Sequence, residues 1–175
     1  MCPRLRDTLA TMAHYLRYIV IQYPTNQSCT TDHLTIQQTW ESPDIEDTKT
    51  GIPGDDDPLD VCEIGETESY CGEVKQVKQL GAFALLDEGE TDWKIVAIDV
   101  NDPLASKISD IRDVEASFPG YLDSLKRWYC VYKVPDGKPE NDIALGGKIE
   151  GRKYASFFLS SLLSEYLTSV GLCLV

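Results

Sequence analysis

Gly54-Asp55-Asp56-Asp57-Pro58-Leu59-Asp60-Val61 holds the densest chemistry in the chain: four carboxylates within six residues, beside a Gly54 and a Pro58 that oppose a helix. Two carboxylates about 4 Å apart repel by about 1 kcal/mol in water and by more in a cleft, so a fold that gathers them needs positive charge among the oxygens. Apolar Ile52 on one side, and Val61 and Ile64 on the other, place the acids where a loop enters a strand. With oxygen ligands and neither thiolate nor imidazole among them, the set suits a hard divalent cation of the Mg²⁺ type. A solvated acidic loop is the alternative that the quartet alone leaves open. An EF-hand fails. Asp55, Asp57, Glu63 and Glu66 fit its ligand positions, but Asp60 stands where that loop must turn through glycine, and no amphipathic helix leads in.

A second polar group follows. Asp87 and Asp92 stand five apart across a glycine-containing turn, which predicts a hairpin with both acids at its tip, facing one cation. Lys94 falls two residues beyond Asp92 and shares its face of the strand. Tyr132 and Lys133 are expected to bring a phenol and an ammonium from a separate strand. If the hairpin tip meets the Asp55–Asp60 loop, the product is a cup of carboxylates with lysines at its rim. Such a cup suits a metal-bound polyphosphate: acids hold the metal, metal and lysines hold phosphate oxygens, and one acid activates water. Lys75, Lys78 and Lys126 read as solvated surface charges.

The remaining residues must supply a scaffold for these groups. A chain of 175 residues can bury one good core and is short for two, and 42% hydrophobic residues with 9 Pro and 12 Gly belong to a globular protein. A formal charge of −13 opposes a nucleic-acid partner, whose phosphates it would repel. Cysteines at 2, 29, 62, 71, 130 and 173 form no C-x-x-C pair, and His occurs only at 14 and 33, so reduced intracellular thiols are the simpler reading than a zinc site. Asn26-Gln27-Ser28 matches a glycosylation sequon of a kind common by chance.

Three regions are expected: 1–37, 38–155 and 156–175. In the first, Leu5, Leu9, Met12, Ala13, Leu16 and Ile19/Val20 recur at helical spacing among Arg4, Arg6 and Arg17, followed by a Thr/Gln-rich connector. A packing helix or a disordered leader is expected there; Asp7 and the few serines oppose a mitochondrial presequence, and the apolar run 18–21 is too short for a secretory signal. The second region turns to strands at 61–65, within 72–86 with a break at Gly81, and at 92–100. Asp102-Pro103 reads as the start of a helix that Pro119-Gly120 interrupts. Leu122, Leu125, Trp128 and Tyr129 mark another helical face, and 129–134 reads as a strand closed by the Pro135-Asp136-Gly137 turn. The third region is apolar, but Glu165 and its serines oppose a membrane span, and a buried C-terminal helix is expected.

Taken together the motifs resemble those of the soluble family I inorganic pyrophosphatases, the eukaryotic branch most. The acidic loop carries the likeness, with Gln38-Thr39-Trp40-Glu41, Glu63-Ile64-Gly65-Glu66, and Leu85 to Lys94. It continues through Ala97 to Leu104, Phe118-Pro119-Gly120 and Tyr132 to Asn141, and spans residues 38–155. The resemblance implies a mainly β fold with α, an OB-like five-stranded β-barrel core with flanking helices, and Mg²⁺-dependent hydrolysis of pyrophosphate, Mn²⁺ substituting. It implies that Asp55, Asp60 and Asp92 bind the tighter metal ions, that Asp87 joins when substrate brings more metal, and that Asp57 is the general base for the attacking water. Lys94, Tyr132 and Lys133 would grip the phosphates.

The chain also departs from that pattern. The family carries two metal-proximal glutamates, a lysine, an arginine and two tyrosines upstream of the position of Gln38, and residues 1–37 do not match them. Read back without gaps from Trp40, His33 and Cys29 fall where the family has the tyrosines. The likeness also stops after Ala155. The ends thus read as replaced or truncated, the barrel as incomplete, and turnover as weak, with a catalytically inactive metal-binding or partner-binding protein as the alternative. A cytoplasmic or mitochondrial setting, no membrane association and a homo-oligomer complete the expectations.

Overall fold

The structure, a computed structural model, describes residues 34–169 apart from 68 and 71, and all their side chains except those of 165 and 167–169. The apolar pattern of residues 5–20, the sequon at Asn26, and Cys29 and His33 lie outside the described residues, as do 170–175. Two long antiparallel strands, β3 (Val77–Asp87) and β4 (Glu90–Asp99), form the spine of the sheet. Their β-branched and aromatic residues fit a pleated surface that is covered on both sides. β1 (Leu34–Thr35) and β2 (Asp60–Glu63) extend the sheet beyond β4, β2 running parallel to β4, while β5 (Asp142–Ile143) and β6 (Glu150–Gly151) pair with the other edge of β3. The path β1-β2-β4-β3-β5 has the five strands expected, with β6 as a sixth, and among the described residues the sheet does not close.

Among the described residues, three helices of seven or more residues cover the sheet: α1 (Ile111–Ser117), α2 (Tyr121–Val131) and α3 (Arg152–Ser169). One face packs Val61, Ile95, Trp93 and Ala82 against Ala155, Leu159 and Leu162 of α3, with Trp93 and Phe158 at 4.5 Å between ring centroids. The other face packs Cys62, Phe83, Leu85, Val96 and Ile98 under α1 and α2. A C-terminal helix is present, beginning at Arg152 rather than Ser156, but only one face of it is buried, and Phe157 stands 73% exposed. Among the described residues no helix is long and apolar enough to cross a membrane.

The structure corrects four local expectations. β3 is not broken at Gly81; a bulge between Gln79 and Gly81 lets it run on, and a Cβ at Gly81 would lie 2.5 Å from the Glu150 carbonyl oxygen, so glycine admits β6 to close range. The hairpin turns through Glu88 and Gly89, both at positive φ, with Asp87 paired to Glu90; Asp92 pairs with Leu85 and lies within the strand, not at the tip. The helix expected from Asp102 starts at Ile111, capped by Asp110; at Asp102 the carboxylate caps only a turn, through the Leu104 N–H, and also accepts the N–H groups of Glu66 and Thr67. Residues 129–134 are not a strand. The helical spacing of Leu122, Leu125 and Tyr129 carries α2 to Val131, and the Tyr132 N–H still bonds the Trp128 carbonyl at 2.9 Å.

Candidate active site

The acidic loop is sewn to its neighbours by backbone hydrogen bonds. Glu41 N–H donates to the Asp57 carbonyl at 3.0 Å, Asp56 N–H to that of Glu41 at 3.0 Å, and Thr91 N–H to that of Pro53 at 2.8 Å. Gly54 makes this approach possible: a Cβ there would sit 2.5 Å from the Glu41 carbonyl carbon. Asp56 turns away at φ 67°, a region aspartate tolerates, and its carboxylate accepts the Trp40 indole N–H at 2.8 Å. Of the quartet, Asp55, Asp57 and Asp60 remain to line the cleft.

Register places the other groups beside them. Asp60 pairs with Lys94 across β2 and β4, and Lys94 pairs with Phe83, so these side chains share one face of the sheet. Two residues along each strand, Asp92 and Leu85 lie on that face too, and Asp87 follows Leu85. Buried Lys94 donates to Asp60 Oδ2 at 2.5 Å and to the Asp92 carboxylate. Tyr132 and Lys133 come from the end of α2, and the Lys133 ammonium bonds Asp87. Asp55, Asp57, Asp60, Asp87, Asp92, Lys94, Tyr132 and Lys133 all line one cleft of about 600 Å³, with Thr35, Pro58, Glu88 and Glu90. Every site residue expected from the sequence is at that cleft.

Glu41 was missed. It belongs to a quoted motif, but its spacing shows no chemistry; folding buries it and brings its carboxylate to the Trp93 N–H at 3.0 Å. One of its oxygens, one of Asp55 and one of Asp92 lie within 4.8 Å of one another. Burial pushes the Glu41 carboxyl well up, and Asp92 and Asp55 push it further. Burial likewise raises Asp55, and raises Asp92 to about 7 despite the nearby Lys94 ammonium. Burial works against the charge on Lys94, but Asp92 and Asp60 outweigh it and hold that lysine above its ordinary range. Asp87 Oδ1 and Asp92 Oδ1 are buried with no hydrogen-bond partner. Unpartnered buried acceptors among carboxylates that resist ionising fit a hard cation, which would neutralise the set and ligate the orphaned oxygens.

Lys75 corrects the reading of the surface lysines. It is buried, 2.9 Å from Glu63 and 3.6 Å from Asp99, because the parallel strands β2 and β4 end side by side and the two carboxylates there require a counter-charge. Lys78 is half-buried and donates to the Ala105 carbonyl, and Lys126 reaches the Gly147 carbonyl at 3.2 Å. None of these three is free in solvent.

Fold and site together define a class: an OB-like β fold that presents carboxylates and lysines in one open cleft. The family model for inorganic pyrophosphatases matches residues 10–166, and the chain belongs to that family. The match runs past both ends of the 38–155 span. An inorganic pyrophosphatase of Yarrowia lipolytica is 62% identical over 118 residues, 67% of this chain and 41% of that protein. The structure of the inorganic pyrophosphatase from Schistosoma japonicum superposes with a TM-score of 0.76 at 43% identity, covering 87% of this chain and 53% of that one. The N-terminal-domain-truncated vacuolar soluble pyrophosphatase of Trypanosoma cruzi, in complex with PPi, gives 0.77 at 32% identity over 86% of this chain and 60% of that one. The chain thus spans less than two thirds of each of these relatives.

Proposed function

We propose that this chain hydrolyses inorganic pyrophosphate to two phosphates in a reaction that depends on Mg²⁺, with Mn²⁺ able to substitute. One observation carries the reading: the eight expected residues line one cleft in which two buried carboxylate oxygens have no partner. Asp55, Asp60 and Asp92 would hold the cation, with Asp87 joining them, and the Glu41 carboxylate lies in one cluster with those of Asp55 and Asp92. A bound divalent cation supplies charge neutralisation for the phosphates and lowers the pKa of water.

The chain's own residues supply the rest. Asp57, exposed at the mouth, accepts the proton of the water that attacks one phosphorus. As the new P–O bond forms, the bond to the bridging oxygen breaks, and Lys94, Lys133 and the Tyr132 hydroxyl hold the charge that gathers on the phosphate oxygens. Lys133 is Asp87's partner in the free protein, so a cation held at Asp87 would leave that lysine for phosphate. A cytoplasmic setting, with the mitochondrion as the alternative, belongs to the same proposal and is supported by the free thiols of Cys62 and Cys130.

Phosphate release from pyrophosphate by the purified chain tests the proposal. Release is expected in Mg²⁺ and not in chelator. Asp57→Ala should abolish it while leaving the metal-induced rise in Tm, and Asp60→Asn should abolish both. Release that survives Asp57→Ala, or a melting curve that ignores Mg²⁺, would sink the reading.

A further inference from the structure

Tyr129 is half-buried on α2 and touches three parts of the site at once. Its hydroxyl lies 2.9 Å from Cys62 Sγ. Its ring meets Phe83 edge-on with centroids 5.5 Å apart, and the Lys94 ammonium stands 5.7 Å from its centroid. Cys62 follows Asp60 by two residues on the same face of β2, while Tyr132 and Lys133 follow Tyr129 by one helical turn. One side-chain contact therefore joins the strand that carries Asp60 to the helix that delivers the phosphate-facing phenol and ammonium. Other polar contacts of α2 run to the segments on either side of β5: Lys126 to the Gly147 carbonyl, the Asn141 N–H to the Cys130 carbonyl, and the Asn141 side-chain amide to the Tyr129 carbonyl.

We propose that Tyr129 is a positioning residue: its phenol, latched to Cys62, and its ring, set over the Lys94 ammonium, fix Tyr132 and Lys133 relative to Asp60 and Lys94. The kinetic consequence rests on the pyrophosphatase reading; the structural one does not. α2 is 11 residues long, short for an independently stable helix, so its position depends on what its apolar face touches. Phe83 fixes the depth of the Tyr129 ring, and the hydroxyl–thiol contact fixes its rotation about that point. A phenol so placed needs a partner, and the thiol is the group within reach. Misplacing a gripping group by about 1 Å can cost on the order of 10²-fold in rate, so a single hydrogen bond at this pivot has leverage.

The test uses Tyr129→Phe, Cys62→Ala and Cys62→Ser in the full chain. In Mg²⁺-pyrophosphate hydrolysis, Tyr129→Phe and Cys62→Ala should each raise KM about 3–10-fold with kcat little changed, the range a single net hydrogen bond supports. Cys62→Ser, which keeps a partner for the phenol, should stay near the parent, and the double variant should be no worse than either single. A second readout needs no turnover: Lys133→Met should lower Tm by stranding buried Asp87, and that loss should shrink by at least half in the Tyr129→Phe background, where Lys133 is already misplaced. Parental KM in Cys62→Ala, equal loss of kcat and stability in all three, or strict additivity of Lys133→Met with Tyr129→Phe would overturn the proposal. If the parent releases no phosphate, the hydrolase reading falls and the melting cycle alone decides the positioning role.

Discussion

Lys94 and Asp60 are register partners across the parallel β2–β4 pair, and the ammonium lies 2.5 Å from Asp60 Oδ2. The same nitrogen bonds Asp92, so one buried lysine holds two of the acids assigned to metal. Without a cation the lysine is the counter-charge that lets these carboxylates share a face. On the proposed reading, a divalent ion would compete for the same oxygens and leave Lys94 for a phosphate group, which would link metal capture to substrate grip.

Removing that counter-charge should expose the strain among the acids. Lys94→Met is expected to lower metal-free stability by about 3–5 kcal/mol, because it strands the buried Asp92 carboxylate beside Asp60. Mg²⁺ should restore much of the loss, so the metal-induced rise in Tm becomes larger than in the parent. Melting curves with and without Mg²⁺ measure this; an unchanged Mg²⁺ increment would contradict it.

Stability and metal affinity should move in opposite directions with pH. Burial raises Asp92 from an ordinary 3.8 to about 7, so between those values the folded metal-free chain keeps a proton that the unfolded chain has released. The stability this contributes is fully present below about pH 4 and is lost as pH rises through about 7. Cation binding requires the carboxylate and expels the proton, so the Mg²⁺-induced rise in Tm should grow steadily across this window. Equal increments at both ends would rule the coupling out.

Glu41→Gln separates the charge of that residue from its hydrogen bond. The amide oxygen can still accept the Trp93 N–H, while the repulsion with Asp92 and Asp55 disappears. The metal-free protein should therefore melt at a higher temperature at neutral pH, and Mg²⁺ should bind about 10–100-fold more weakly, as when an outer partner of a metal site is lost. Titration calorimetry gives the affinity; parental affinity would confine Glu41 to a structural role.

Gly54→Ala probes the seat of the acidic loop. A methyl group 2.5 Å from the Glu41 carbonyl carbon must push the loop off its neighbour, at a cost of about 1–3 kcal/mol. The displaced Asp55 should then lose its place beside Glu41 and Asp92, and the metal-induced shift should fall with the stability. A variant that melts lower yet keeps the full Mg²⁺ shift would show that the loop re-seats.

Much of the site was legible in the chain itself. Asp92 and Lys94 share a face because strand side chains alternate, and alternation is a local property of the sequence. Gly54 and Pro58 mark a loop for reasons equally local, and the ordered motifs from Gln38 to Asn141 carried the family resemblance. What failed were inferences that needed a neighbour distant in sequence. The run 129–134 has the composition of a strand, yet Tyr129 packs on Phe83 and Cys62, and those contacts favour helix. Lys75 looked like any surface lysine until β2 and β4 brought Glu63 and Asp99 to it. Glu41 carries no mark of chemistry until the Trp93 N–H, 52 residues on, draws it in beside Asp92. The sequence by itself determined which residue types were available and which shared a short-range face. Tertiary structure alone decided which charges became neighbours and how far burial shifted them, because desolvation and Coulomb energies depend on distances that the parallel β2–β4 register and the close seat at Gly54 set.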